Sequence, residues 1–189
     1  MPDKTVDLMI IIPPASIKNT LWPPYGAMYI ASYLAQAGYR TEILNVDLER
    51  LDNKDVIKRV KEASPRYIGY SGIVATSYKY IKELSREIRR SFPDKTQILG
   101  GGISSAAEVI LKNTAVDIVV YGEGEATALE LLKRLDDKGG LSSVSGIYYK
   151  DGSGCLCTGR RPLISNLDTL PYPAFDLVDM EEYMPEPSL

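Results

Sequence analysis

Five short apolar runs, each followed by a stretch whose apolar residues recur at helical spacing, divide residues 1–140 into strand and helix pairs. Leu8 to Ile12 is continuously apolar and is closed by Pro13 and Pro14, the pattern of a strand covered on both faces within a parallel sheet. Ala27, Ile30, Ala31 and Leu34 then mark a helix that stops at Gly38. Tyr39 to Val46 predicts a second strand, and Val56, Ile57, Val60 and Ala63 form the stripe of a charged helix that ends before Pro65. Strands follow at Tyr67 to Tyr70, Gln97 to Leu99 and Val116 to Tyr121. Their helices carry the stripes Tyr78, Ile81, Leu84 and Ile88, then Ala107, Ile110 and Leu111, then Ala128, Leu131, Leu132 and Leu135. Such alternation predicts an α/β fold: a doubly wound, flavodoxin-like, five-stranded parallel sheet with helices on both faces and right-handed crossovers.

A chain of 189 residues with 44% apolar content supports one sizeable core and an appendage. Ile147 to Lys150 and Cys155 to Thr158, joined by Asp151-Gly152-Ser153-Gly154, predict a β-hairpin within residues 141–165. Residues 166–189, with Leu170-Pro171-Tyr172-Pro173-Ala174-Phe175-Asp176, read as a proline-rich linker toward a further domain. A net charge of −3 without a basic cluster argues against nucleic acid or an anionic membrane as partner. Residues 1–7 lack the basic region of a signal peptide, and the run after them is too short to span a bilayer, so the cytoplasm is the expected location. There is no histidine, which removes the usual general base and the usual metal ligand. Cys155 and Cys157 are too few to hold zinc or an iron–sulfur cluster and read as ordinary thiols. No residue stands out as catalytic.

In a flavodoxin-like order the ligand site lies beyond the carboxyl ends of the strands, where the winding reverses between the first and third. The loops that reach this point are Pro13 to Tyr25, Ser71 to Ser77, Gly100 to Ser105 and Tyr121 to Glu125. They offer small residues, hydroxyls and apolar surface with little charge, which suits a large planar group held by packing and a few hydrogen bonds. Gly100, Gly101 and Gly102 stand directly between a strand and a helix, a position that implies close approach by a ligand or by another chain segment. A receiver domain would need an aspartate where Tyr70 and Ser71 stand; a flavodoxin would need amide donors where Pro13-Pro14 stand; there is no Walker A lysine. Glu123 and Glu125 fall near a helix N-terminus, where carboxylates are stabilised whatever the function. Trp22 and Tyr25 form either a ligand face or an interface with a further domain.

Tyr67-Ile68-Gly69-Tyr70-Ser71-Gly72-Ile73 and Ile98-Leu99-Gly100-Gly101-Gly102 resemble the cobalamin-binding domains of methionine synthase and its relatives. The resemblance implies that Ser71 hydrogen-bonds the nucleotide tail of cobalamin and that Gly101 and Gly102 let the tail pass close to the main chain. The D-x-H-x-x-G motif of that family is missing after the first strand, so the resemblance implies a base-off cofactor without a histidine ligand. Pro13-Pro14, Pro23-Pro24-Tyr25-Gly26, Tyr121-Gly122-Glu123-Gly124-Glu125 and the closing Leu170 to Asp176 extend the likeness over nearly the whole chain. In this respect it resembles the N-terminal region of cobalamin-dependent radical S-adenosylmethionine enzymes, including methyltransferases and the anaerobic Mg-protoporphyrin monomethyl ester cyclases. The implied cofactor contacts are Pro24 and Tyr25 from the first loop and Ser71, Gly72, Ile73, Val74 and Thr76 from the second. The third and fourth loops add Gly100, Gly101, Gly102 and Ile103, then Tyr121, Gly122 and Glu123. The family's iron–sulfur motif, C-x-x-x-C-x-x-C, does not occur here, so the [4Fe-4S] cluster and S-adenosylmethionine would belong to a downstream barrel in the longer chain. The alternative is a domain that keeps the fold as an interaction scaffold and binds no cofactor.

Overall fold

A computed structural model describes residues 5–14, 22–152 and 154–184. The strands are β1 (Leu8–Ile12), β2 (Thr41–Asn45), β3 (Tyr67–Ser71), β4 (Thr96–Gly100), β5 (Ile118–Val120), β6 (Ile147–Asp151) and β7 (Gly154–Cys157). The helices are α1 (Tyr25–Gln36), α2 (Asn53–Ala63), α3 (Ser77–Ser91), α4 (Ala107–Asn113) and α5 (Glu125–Asp136). The strands lie in one sheet of order β2-β1-β3-β4-β5-β6-β7, in which β1 to β5 pair in parallel and β6 and β7 antiparallel. The parallel part has the expected doubly wound order. The hairpin, expected as an appendage, instead continues the sheet, because β6 pairs with β5 through Ile147, Tyr148 and Tyr149 and covers what would have been an open edge.

The two faces of the sheet bury different sets of residues because successive strand side chains alternate. Met9, Ile11, Ile68, Tyr70, Leu99 and Val119 pack against α2, α3 and α4. Leu8, Ile10, Tyr67, Ile98, Ile118 and Val120 face α1 and α5. The first face contains a buried polar network: the Tyr70 hydroxyl donates to Gln97 Oε1 at 2.6 Å, and Gln97 Nε2 donates to the Ser85 carbonyl at 3.1 Å. Burial pushes the Tyr70 hydroxyl well above its ordinary pKa, so it stays a donor. Tyr70→Phe leaves Gln97 Oε1 unpaired in the core. The expected result is a loss of about 1–3 kcal/mol in urea unfolding, with the cavity on the opposite face unchanged.

On the second face, Asp136 at the end of α5 accepts hydrogen bonds from Tyr39 at 2.8 Å and Tyr67 at 2.6 Å and pairs with Arg66. Burial, then the bond to Asp136, raises the pKa of Tyr67 to about 12. These contacts fix the C-terminal end of α5 over the amino ends of β2 and β3. The same helix therefore forms a set wall at its other end.

A glycine-floored cavity at the winding reversal

Residues 8 and 10 of β1, 67, 69 and 71 of β3, 98 and 100 of β4, and 120 of β5 share the face under α1 and α5. Two of these positions, Gly69 and Gly100, lack a side chain, so the floor is interrupted at the centre of the sheet. Gly69 pairs with Ile10 on one side and Ile98 on the other; Gly100 pairs with Ser71. A cavity of about 300 Å³ opens there, between the floor and the helices. Ala27 and Ile30 of α1 form one wall, and Ala128, Leu131 and Leu132 of α5 form the other. A Cβ at Gly100 would meet nothing within 4 Å, and one at Gly69 would make only ordinary contacts, with Leu8 Cδ1 at 3.4 Å and with Ile10 Cγ1 and the Met9 carbonyl oxygen at 3.6 Å. The cradle is thus one that larger side chains would fill.

The cavity is graded from apolar to polar. Its depth is lined by Leu8, Ile10, Ile98, Leu131 and Leu132, and its mouth by Ser71, Gly101, Gly122, Glu123 and Glu125. Among the described residues, the Ser71 hydroxyl has no hydrogen-bond partner, and the N-cap position of α3 is occupied by Thr76. Ser71 therefore presents a free hydroxyl to the cavity. Glu123 and Glu125 lie where the positive end of the α5 dipole stabilises carboxylates. Gly124 lets α1 approach, since a Cβ there would lie 2.8 Å from Ile30 Cδ1.

The three consecutive glycines divide by role. Gly100 opens onto the cavity, while Gly101, at the cavity mouth, and Gly102 accommodate the neighbouring loop. A Cβ at Gly101 would stand 2.8 Å from the Gly72 carbonyl oxygen, and one at Gly102 would stand 2.5 Å from that of Ile73. Gly101 also has φ +93° and ψ −170°, a conformation open essentially to glycine alone. Gly72 N donates to the Gly100 carbonyl at 2.8 Å and Ile103 N to the Gly72 carbonyl at 2.9 Å, which locks the two loops together.

Ser71, Ile73, Gly100, Gly101, Gly122 and Glu123 are the residues singled out from the sequence that line the cavity. Gly72, Gly102 and Ile103 form the loop lock behind it, and Val74 and Thr76 lead into α3. Pro24 is buried at the start of α1, where its carbonyl accepts from Met28 N at 3.0 Å. Tyr121 stacks edge-on against Tyr148, with ring centroids 5.1 Å apart. Trp22, Tyr25 and Ile73 expose 72%, 47% and 58% of their surface, an apolar rim near the carboxyl ends of the strands. Residues 15–21 of the first loop lie outside the described residues. Gly69 and the helix walls Ala27, Ile30, Ala128, Leu131 and Leu132 also line the cavity and are not among the residues singled out from the sequence. A glycine inside an otherwise apolar strand was the available signal.

After β7 the chain crosses the molecule. Arg161 Nε donates to Thr127 Oγ1 at 2.8 Å and its guanidinium also pairs with Glu130. Ile164 N donates to Glu123 Oε2 at 2.6 Å, beside the cavity mouth. Ala174 N then donates to the Met28 carbonyl at 3.2 Å, and the Tyr183 hydroxyl accepts from Asn45 Nδ2 at 2.7 Å at the end of β2.

Over residues 18–132, more than half of its length, the chain matches the B12 binding domain family. The chain belongs to this family. The B12-binding domain is similar to an uncharacterized methyltransferase of Pyrococcus horikoshii, with 28% identity over 95% of this chain and 40% of the relative. It is also similar to the anaerobic magnesium-protoporphyrin IX monomethyl ester cyclase of a Synechocystis species, with 26% identity over 93% of this chain and 37% of the relative. It thus spans 40% or less of the length of these curated relatives. Among solved structures, the cobalamin-dependent S-adenosylmethionine radical enzyme OxsB with aqua-cobalamin and S-adenosylmethionine bound shares the fold. That match has a TM-score of 0.78 at 19% identity and covers 95% of this chain and 25% of that one. The radical S-adenosylmethionine methyltransferase TsrM of Kitasatospora setae, with cobalamin and a [4Fe-4S] cluster bound, matches with a TM-score of 0.66 at 18% identity, covering 89% of this chain and 31% of that one. No helix among the described residues is long and apolar enough to cross a membrane.

Proposed function

We propose that this B12-binding domain holds cobalamin with the nucleotide tail inserted between the sheet and helices α1 and α5. The observation that carries this reading is the gap at Gly69 and Gly100, open to an apolar cavity of about 300 Å³ at the winding reversal. That volume admits a bicyclic base with a sugar and is too small for a corrin ring, which belongs outside on the strand ends. There the exposed Tyr25 and Ile73 offer apolar surface, while Ser71 offers a hydroxyl to the tail as it enters. The chain contains no histidine, so none of its residues supplies an imidazole to the cobalt. When bound, cobalamin supplies a cobalt centre suited to methyl carriage or to one-electron chemistry. The residues of this chain orient it and shield its tail from water.

In this reading the domain is the cofactor-holding part of a longer cytoplasmic enzyme. A radical S-adenosylmethionine barrel with its [4Fe-4S] cluster follows in the same chain, and the overall reaction is methyl transfer or oxidative cyclisation. The methyltransferase and cyclase names of the similar proteins support it. The test is to incubate the chain with hydroxocobalamin, desalt it and record the visible spectrum. The expected result is retention of close to one equivalent of corrinoid with a base-off spectrum; folded protein that emerges without corrinoid absorption would refute the proposal.

A further inference from the structure

The deep part of the cavity is apolar on every side. Ile10 and Ile98 border the gap left by Gly69, and Ala128, Leu131 and Leu132 close it from above. The backbone of β1, β3 and β4 pairs within the sheet, so the floor offers no spare amide or carbonyl to a ligand. Among the described residues the buried side-chain polar atoms without a partner are Thr41 Oγ1 and Tyr80 OH, and neither lines the cavity. Side-chain hydrogen-bonding capacity is confined to the mouth, at Ser71, Glu123 and Glu125, and Glu123 is already engaged by Ile164 N.

Cobamides share the corrin ring and differ in the base that ends the nucleotide tail. We infer that this cavity selects among them, accepting tails that end in dimethylbenzimidazole or a phenol and discriminating against those that end in a purine. The inference rests on the reading that the tail enters the cavity. Adenine would bring an amino group and three ring nitrogens into a space without donors or acceptors, whereas dimethylbenzimidazole brings two methyl groups and one free ring nitrogen. Each buried polar atom left unpaired is penalised, while the methyl groups gain from leaving water. The apolar walls at Ile98, Leu131 and Leu132 are thus the specificity-determining surface, and Ser71 at the mouth is indifferent to the base because it lies at the level of the entering tail.

The test titrates the 189-residue chain with four corrinoids in their hydroxo or aquo forms: cobalamin, p-cresolyl cobamide, adeninyl cobamide and tail-less cobinamide. Dissociation constants are read from visible absorption and from quenching of Trp22, the single tryptophan. Cobalamin and the cresolyl form are expected to bind within about threefold of each other, the adeninyl form at least about tenfold more weakly, and cobinamide most weakly. An adeninyl cobamide that binds as tightly as cobalamin, with cobinamide still weak, would overturn the base selection and leave the tail in the cavity. Cobinamide that binds as tightly as cobalamin would put the tail elsewhere and overturn the reading beneath as well, as would failure of all four to bind.

Discussion

Gly100→Leu is expected to leave the domain folded and to weaken cobalamin binding by about a hundredfold. The substitution is expected to separate these two properties because a Cβ at Gly100 meets no atom within 4 Å and the residue does not need a positive φ. Its side chain extends into the floor of the cavity opposite Ser71, where the proposed tail would lie. Overfilling a preformed site costs about 1–3 kcal/mol, which corresponds to a loss of roughly five- to 150-fold, and a rigid bicyclic base stands toward the upper end. Thermal unfolding should stay within about 3 °C of the parent, since the added apolar side chain is sheltered by α5. Titration with hydroxocobalamin alongside a thermal melt provides the check. Unchanged affinity in a folded variant would place the tail elsewhere.

The neighbouring position should behave in the opposite way. Gly101→Ala is expected to lower stability by about 2–5 kcal/mol, because the glycine-only backbone conformation and the encounter with the Gly72 carbonyl at 2.8 Å both penalise any Cβ. For a chain of this size the melting temperature falls by roughly 5–15 °C. Cobalamin affinity drops only as far as the loop lock at Gly72 and Ile103 loosens. Adjacent glycines that look alike in the sequence are thus distinguished by one pair of measurements, a melting curve and a binding curve. A Gly101→Ala protein as stable as the parent would show that the two loops part readily.

Much of this was legible in the sequence for reasons that are physical. A strand such as Leu8–Ile12, covered on both faces, must be apolar throughout, and Pro13 must end it, so its bounds were readable residue by residue. The place of the cavity followed from winding alone. Its walls did not, because a helix stripe that faces a sheet and one that faces a cavity have the same period: Ala128, Leu131 and Leu132 read only as buried. What converts that stripe into a wall is the missing side chain at Gly69, a residue on a different strand that is brought opposite by the sheet register. Gly101 and Gly102 were readable as sites of close approach, but only the folded arrangement shows the neighbour to be the main chain of Gly72 and Ile73. The segment from Arg161 to Tyr183 carries no periodicity, since it is held by isolated hydrogen bonds that leave no repeating pattern.

That segment has a mechanical consequence. The chain leaves the sheet at β7, one edge, and Tyr183 docks beside β2, the other, with intermediate anchors at Glu123 and Met28. A domain attached beyond residue 184 is therefore leashed from the end of β2, near the carboxyl ends of the strands, and not from the hairpin. Any segment that follows starts from this anchor, on the side of the sheet where the carboxyl ends of the strands carry the cavity mouth. Tyr183→Phe would remove this anchor and move the last fixed point of the chain back to Ala174 on the Met28 carbonyl, so the length of free tether is set by a single hydroxyl.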